Sequence, residues 1–200
     1  METKSLWVQR IYTINGFVRS NILGESIALD VGCGSRKLPG TVGMDCLPLQ
    51  SVDVVHDMNV FPWPFKENTF DIVLMNHALE HVVDVVAVME EIYRILRPGG
   101  RVVIQVPYFR SVDAFSDPTH RHFFTSNSLD YFIQGSGLSD YKYSTASFKK
   151  IDFWYGWPHT SKNTIKQILK KYIHTHPRWY DQRLSLLLPV DCVTWELEKI

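Results

Sequence analysis

Short apolar runs alternate with polar, glycine-rich and helical segments along most of the chain. Five such runs, bounded by turn residues, predict buried strands at 27–31, 41–45, 52–55, 70–76 and 101–107. A final strand is predicted within 190–200, at an edge of the sheet. Strands that alternate with helices are typical of a parallel sheet with helices on both faces.

Helical periodicity appears in four places. Apolar residues three and four apart predict an amphipathic helix over 5–20. The clearest helix is predicted over 84–97, with Asp84 as its cap and the Pro-Gly-Gly sequence of 98–100 as its stop. Two further helices are predicted over 125–137 and 161–173.

Polar or glycine-rich segments follow each predicted strand. They read GCGS, DC, HDMN, NHALEH and YFRSVDAFSDPTHRHFFT in chain order. Because the carboxyl ends of parallel strands meet at one edge of a sheet, these segments are expected to form a single ligand site near the topological switch point.

Composition narrows the class of protein. The 200 residues suit one domain, and 21 basic residues balance 21 acidic ones, which gives no signal for nucleic acid. Three cysteines without a CxxC spacing argue against a disulfide framework or a structural zinc site and indicate a reducing cytoplasm. The first residues show no signal-peptide pattern. The expected organisation is an N-terminal helix (1–24), a binding core (25–150), a basic aromatic insertion (151–189) and a final strand (190–200).

Glycines and carboxylates follow the first three strands. Gly32 and Gly34 lie where the chain turns away from the first strand, and glycine there lets backbone approach a ligand closely. Asp45 ends the second strand, where a carboxylate can accept hydrogen bonds from two ribose hydroxyls. Asp57 follows the third strand and can accept from an adenine amino group.

The segments LDVGCG, FDIVLMNHALEHV and LRPGGRVVI, in this order, resemble class I S-adenosylmethionine-dependent methyltransferases over residues 27–137. The resemblance implies an α/β, Rossmann-like, doubly wound and mostly parallel seven-stranded sheet, with S-adenosyl-L-methionine as the cofactor. It also implies a set of cofactor-binding positions: Asp30, Gly32, Cys33 and Gly34 around the methionine part, Asp45 at the ribose, Cys46, Leu47, Asp57 and Met58 around the adenine, and Asn76 and His77 toward the methionine part or the acceptor.

One position departs from that family pattern. Many relatives carry a further glycine two residues after Gly34, where this chain has Arg36. The loop is therefore bulkier, and Arg36 or Lys37 is a candidate for contacting the cofactor carboxylate.

The segment DPTHRHFFT, residues 117–125, is expected to face the acceptor. Three roles stay open for His120 and His122: general base, partner of Asp117 in a D-x-x-H-x-H metal site, or structural group that fixes the loop. The preferred assignment gives the two histidines and Asp117 catalytic roles without a metal ion. Tyr108, together with His77, is expected to contact the acceptor, whereas His81 is more often structural.

The C-terminal third is basic and aromatic. Residues 142–183 hold nine Lys or Arg against two acids, together with several Trp and Tyr. This composition is typical of a solvated face over an aromatic core, and also of a surface that recognises an anionic acceptor or a membrane.

The expected function is methyl transfer from S-adenosylmethionine, with an oxygen of a small polar molecule or glycan as acceptor. A protein or nitrogen acceptor stays open. The main alternative is a cofactor-binding module that serves as a partner or regulatory subunit. A nicotinamide-dependent oxidoreductase is a weaker alternative, because GCGSRK lacks the last glycine of G-x-G-x-x-G.

Overall fold

The computed structural model describes residues 27–156 and 171–200. Seven strands form one sheet in the order β3-β2-β1-β4-β5-β7-β6. The strands are β1 (Ala28–Val31), β2 (Val42–Asp45), β3 (Val54–Val55), β4 (Phe70–Asn76), β5 (Leu96–Pro107), β6 (Phe148–Tyr155) and β7 (Cys192–Lys199). The first five strands are parallel, and β7 runs antiparallel to both β5 and β6. The predicted mostly parallel, seven-stranded sheet is confirmed.

The centre of the sheet explains where a ligand site can form. All four residues of β1 are buried, and β4 is buried along most of its length, as expected for strands covered on both faces. The chain builds β1, β2 and β3 outward in one direction and then returns to place β4 and β5 on the other side. The switch point therefore lies between the carboxyl ends of β1 and β4.

Helix α1 (Val85–Ile95) packs its apolar stripe against the sheet. The Asp84 carboxylate caps it by accepting from the amides of Val86 and Ala87, at 2.8 and 3.0 Å. Leu96 is already extended and starts β5, so the helix ends two residues before the predicted limit. The predicted helix over 5–20 lies outside the described residues, as does most of the one over 161–173.

The last strand, β7, is interior and not the predicted edge. Glu196 of this strand is fully buried, and its carboxylate accepts from Arg101 of β5 at 2.7 Å. The edge is β6, which the hydrophobic pattern did not predict and which crosses the expected boundary between 150 and 151.

The helix predicted over 125–137 is also wrong. The segment forms turns and one short 3₁₀ helix, Asp130–Phe132. Side-chain oxygens bind backbone amides here instead of leaving them for a helix: Ser128 accepts from Thr125 at 2.9 Å, and Thr125 accepts from Asn127 at 3.3 Å. Gly135 and Gly137 then take positive φ angles and end the segment.

A C-terminal strap, residues 171–191, packs against the sheet near its β5–β6 side. It contains helical turns at 171–175 and Pro177–Trp179, and a π-helical turn at Tyr180–Leu184. The Asp181 carboxylate accepts hydrogen bonds from the hydroxyls of Tyr108 and Tyr155, at 2.7 and 2.6 Å. These bonds tie the strap to the ends of β5 and β6.

Candidate active site

The glycine turn after β1 is closely packed. Gly32 has φ +69°, and a Cβ at this position would lie 2.7 Å from the Cβ of Ala78. The Gly32 amide donates to the Met44 carbonyl at 2.8 Å, which holds the turn against β2. Only glycine combines this dihedral with this contact, so the turn brings bare backbone to the switch point.

Asp45 lies beside this turn at the end of β2. One carboxylate oxygen accepts from the Gly34 amide at 2.9 Å, and the other accepts from the Leu47 amide at 3.0 Å. A carboxylate offers about four lone-pair positions, so two backbone bonds leave capacity for the hydroxyls of a ribose. The glycine turn and Asp45, which the sequence assigns to one ligand site, are thus in direct contact.

Asp30 is the most buried acid of the glycine turn. It is 4% exposed, and its carboxylate accepts from the Leu38 amide at 2.8 Å. Burial raises the pKa of Asp30 to about 6, and the Leu38 amide and the positive charge of Lys37 only partly offset that effect. The Asp30 side chain thus holds the 34–38 loop in place through its bond to the Leu38 amide.

We expect Asp30→Asn to remove a pH dependence of stability. Because the folded pKa is raised, Asp30 favours the folded state at low pH, and this contribution is lost as pH rises from about 4 through 6. The free energy of unfolding of the variant minus that of the native protein should therefore increase by about 2–3 kcal/mol between pH 4 and 7. Urea denaturation at several pH values measures it, with the exposed-site variant Asp140→Asn as control. If the difference in free energy of unfolding between variant and native protein stays constant with pH, the pKa of Asp30 is not raised in the folded state.

The adenine-side candidates differ in exposure. Cys46 and Leu47 are exposed after β2, and Asp57 is exposed after β3. Asp57 accepts from the backbone and side-chain nitrogens of Asn59, both at 2.9 Å. Met58 is partly buried and packs against the core. These positions follow the ends of β2 and β3. Their contact with the adenine ring stays a prediction.

Two loop residues have other contacts than expected. Burial raises the pKa of the Cys33 thiol to about 11, which indicates a packing residue. The Lys37 ammonium donates to Asp53 at 2.6 Å, and Asp53 also accepts from the Gly43 amide at 2.7 Å. Lys37 therefore holds the loop in place through Asp53. Of the two candidates for the cofactor carboxylate, Arg36 is the exposed one.

Sequence reasoning missed Ser51, whose hydroxyl donates to the Gly34 carbonyl at 2.7 Å.

A buried carboxylate lies after β4. Glu80, in the short 3₁₀ helix Leu79–His81, is 1% exposed. Among the described residues, neither of its carboxylate oxygens has a hydrogen-bond partner. The nearest basic atoms are Nδ1 of His77 at 3.4 Å and Nε2 of His120 at 3.9 Å. Asn76, at the end of β4, is exposed on the same edge of the sheet.

The 117–125 segment packs directly on this short helix. The amides of Arg121 and His122 both donate to the Glu80 carbonyl, at 2.8 and 3.2 Å. His120 donates from Nδ1 to the Ala114 carbonyl at 2.9 Å, and His122 donates from Nε2 to the Val82 carbonyl at 2.9 Å. The His122 ring therefore fixes the loop, whereas Nε2 of His120 faces Glu80.

The Asp117 carboxylate is linked to His81 through Thr119. One of its carboxylate oxygens accepts from the amide and the hydroxyl of Thr119, at 2.8 and 2.6 Å. These bonds hold the pKa of Asp117 below its usual value. Within 27–156 and 171–200, the metal-capable grouping contains Glu80, His81 and His120, so the D-x-x-H-x-H set is not brought together.

Tyr108 does not fit a role in contacting the acceptor. It is fully buried, and its hydroxyl donates to Asp181. Burial also raises the pKa of Tyr108 far above its ordinary value. Phe124 is buried in the core as well, whereas Phe123 is half exposed and stacks on Phe115, with ring centroids 4.6 Å apart.

Comparison with known proteins agrees with this architecture. The chain is similar in structure to an S-adenosylmethionine-dependent methyltransferase from Archaeoglobus fulgidus, with a TM-score of 0.57 and 15% identity over 87% of this chain and 86% of that one. A methyltransferase from Mesorhizobium loti gives a TM-score of 0.53 and 13% identity, over 87% and 91% of the two chains. The chain therefore has the class I methyltransferase fold.

Sequence comparison points in the same direction. Residues 45–104 match the family described as "Methyltransferase domain". A demethylmenaquinone methyltransferase from Oceanobacillus iheyensis is 31% identical over 110 residues, which are 42% of this chain and 46% of that protein. The chain thus spans about half the length of the curated relatives it matches. Fold and sequence together support a class I S-adenosylmethionine-dependent methyltransferase, a class whose cofactor is S-adenosylmethionine.

The helices give one further finding about membranes. Within the described ranges, none is both long enough and apolar enough to cross a bilayer.

Proposed function

We propose that the protein transfers a methyl group from S-adenosylmethionine to an oxygen of a small polar molecule or glycan. The observation that carries this proposal is the contact between the two halves of the site. Ala78, which precedes the Glu80 cluster, packs on Gly32 of the glycine turn. A cofactor held by the turn and Asp45 therefore lies next to a histidine-rich cluster at the end of β4.

The chemistry needs both halves. The acceptor oxygen forms a bond to the methyl carbon while the carbon–sulfur bond breaks, and the products are S-adenosylhomocysteine, a methyl ether and one proton. Positioning of the two reactants supplies much of the rate in such a displacement. The proton requires a basic or charge-stabilising group near the oxygen, and the cluster of Glu80, His81 and His120 is the candidate for this task.

The surface around the cluster supports a mixed polar and apolar acceptor. Val112 and Phe115 are 79% and 65% exposed beside the loop, and Phe123 adds to this apolar rim. His77 is also partly open to solvent, with 42% of its side chain exposed. An acceptor with a hydroxyl group on an apolar or ring-shaped body matches these features. The demethylmenaquinone methyltransferase relative makes a quinol a useful member of a screen.

Location and partners are part of the proposal. None of the three cysteines forms a disulfide, which supports a reducing, cytoplasmic setting. The basic aromatic region and strap are proposed as a peripheral contact surface within a single-domain chain. A structural neighbour from Haloferax volcanii, with a TM-score of 0.54 and 15% identity over 96% of this chain and 89% of that one, was solved in complex with the Trm112 methyltransferase activator. A protein partner is therefore worth testing, as is the alternative of a binding module without turnover.

Transfer of a labelled methyl group tests the proposal. The protein would be incubated with methyl-labelled S-adenosylmethionine and panels of sugars, quinols, phenols, amines and peptides, and the product would be identified by mass spectrometry. Label on an oxygen is the expected result. Label on a nitrogen or on a peptide would overturn the acceptor class. Tight cofactor binding without transfer to any panel would favour the binding module.

A further inference from the structure

We propose that Glu80, His81 and His120 bind a divalent transition-metal ion at the end of β4. The three side chains each place one ligand atom within 4.8 Å of the others. Two imidazoles and one carboxylate form a recurrent set for ions such as Zn²⁺, Mn²⁺, Fe²⁺ or Co²⁺, and three protein ligands leave positions open for an oxygen of another molecule.

The ligand atoms are farther apart than in a formed metal site, and side-chain rotation can close the difference. Ligand atoms bound to one ion at about 2.1 Å lie roughly 3.0–3.5 Å from each other. The Glu80 carboxylate is 3.9 Å from Nε2 of His120, and the rings of His81 and His120 have centroids 4.7 Å apart. The Glu80–His120 pair needs to close by about 0.4 Å, and the other pairs, which lie within 4.8 Å, by about 1.3 Å at most to reach coordination distance.

The tautomers of both histidines are set from outside the cluster. Nδ1 of His120 contacts the Ala114 carbonyl, which can only accept, so Nδ1 carries the proton and Nε2 keeps its lone pair. Nδ1 of His81 contacts the Thr119 hydroxyl, whose single proton is donated to Asp117. His81 therefore also donates from Nδ1. Hydrogen bonds of this kind from the second ring nitrogen are typical of metal-binding histidines.

Glu80 supplies an independent observation. A buried carboxylate normally accepts several hydrogen bonds, because an unpaired charge is costly in the protein interior. In the described part of the chain, neither oxygen of Glu80 accepts one, although the side chain is only 1% exposed. A cation bound between this carboxylate and the two imidazoles would give Glu80 the partner that it lacks among the described residues, and it would use the Nε2 lone pair of His120 that faces Glu80.

The backbone at His77 points to the same place. His77 has φ +53°, a left-handed conformation that is unfavourable for a non-glycine residue and therefore rare. This geometry brings Nδ1 of His77 to 3.4 Å from the Glu80 carboxylate, on the solvent side of the cluster. Strained positions of this type concentrate at functional sites. His77 contacts Glu80 but is not among the three residues whose ligand atoms all lie within 4.8 Å of one another, so it borders the proposed site and is not one of its ligands.

A metal ion at this position gives the residues of the DPTHRHFFT segment roles other than those that the sequence suggested. Asp117 orients His81 through Thr119, His122 fixes the loop, and only His120 enters the metal set. The ion would act on the acceptor oxygen as a Lewis acid and lower the pKa of its hydroxyl. This role deepens the proposed function and rests on it, but ion binding itself can be measured without turnover.

Cobalt binding provides the test. Protein freed of metal with a chelator would be titrated with Co²⁺ and separately with Zn²⁺, followed by calorimetry, by the visible absorption of Co²⁺ and by elemental analysis after dialysis. One ion per chain is expected, with absorption that reports nitrogen ligands and a rise in melting temperature at saturating ion. Glu80→Gln and His120→Gln should each weaken binding by about 100-fold or more, whereas the surface variant His176→Gln should bind like the native protein.

Several outcomes would overturn the inference. One is absence of ion binding by folded native protein. Another is an ion affinity of Glu80→Gln and His120→Gln that equals that of the native protein. The third is a loss of affinity in His176→Gln as large as the loss in the two ligand variants. Circular dichroism of each variant separates loss of ligands from loss of fold, and His81→Gln provides a second ligand variant if Glu80→Gln unfolds. Failure of methyl transfer with intact ion binding would count against the proposed function and leave the metal site standing.

Discussion

Gly32→Ala is expected to lower the free energy of unfolding by about 2–4 kcal/mol and to abolish cofactor binding. The φ angle of +69° strains any other residue by roughly 1–2 kcal/mol. The added methyl group would also lie 2.7 Å from the Cβ of Ala78, and relief of such overpacking costs typically 1–3 kcal/mol. Because Ala78 belongs to the segment that carries the histidine cluster, its displacement disturbs both halves of the site. Urea denaturation and cofactor titration measure the two effects.

Two variants separate the causes of this loss. Gly137→Ala has a similar φ of +80° but no atom within 4 Å of the new methyl group, so it should show the strain alone, roughly 1–2 kcal/mol, and normal cofactor binding. The double variant Gly32→Ala/Ala78→Gly removes the close contact and should recover about 1 kcal/mol or more relative to the sum of the single changes. Additive single changes would show that Ala78 is not the obstacle.

His120→Gln is expected to slow methyl transfer by about 100- to 10,000-fold while the affinity for S-adenosylmethionine stays within about threefold. Glutamine can keep the hydrogen bond to the Ala114 carbonyl, but it offers no imidazole lone pair toward Glu80. The rate would be measured with the acceptor found by the labelled-methyl screen. His176→Gln, on the exposed strap, serves as the matched histidine control. A rate close to that of the native protein would remove His120 from the reaction.

The central strands were predictable because a strand that is buried on both faces has a short, continuous apolar run in its sequence. The prediction of 70–76 coincides with β4, and 27–31 differs from β1 by one residue. The edge strand β6 was missed because its sequence, FKKIDFWY, mixes charged and apolar residues. The prediction of β7 as an edge strand was wrong, because a glutamate such as Glu196 is expected at the surface, and its burial depends on its ion pair with Arg101. Such partners are distant in sequence and cannot be deduced from local pattern.

The site shows the same division. That the segments after β1 and β2 lie together follows from strand order, and the bond between the Gly34 amide and Asp45 agrees with this expectation. The sequence left the same three roles open for His120 and His122, but each ring donates to a carbonyl from a different segment, and only His120 faces Glu80. The sequence did not predict a role for Glu80, because a glutamate in LEHV looks like an ordinary solvent-facing acid of a helix. Only its burial without a hydrogen-bond partner within the described residues reveals it.

Calorimetric titration with S-adenosylmethionine tests the central claim most directly. Native protein is expected to bind one molecule per chain with micromolar affinity and to give no heat with NADH. Asp45→Asn should weaken binding by about 10- to 100-fold, since it removes a charged acceptor for the ribose, while Asp140→Asn should match the native protein. Folded protein that binds no S-adenosylmethionine, or that binds it equally well without the Asp45 carboxylate, would contradict the account.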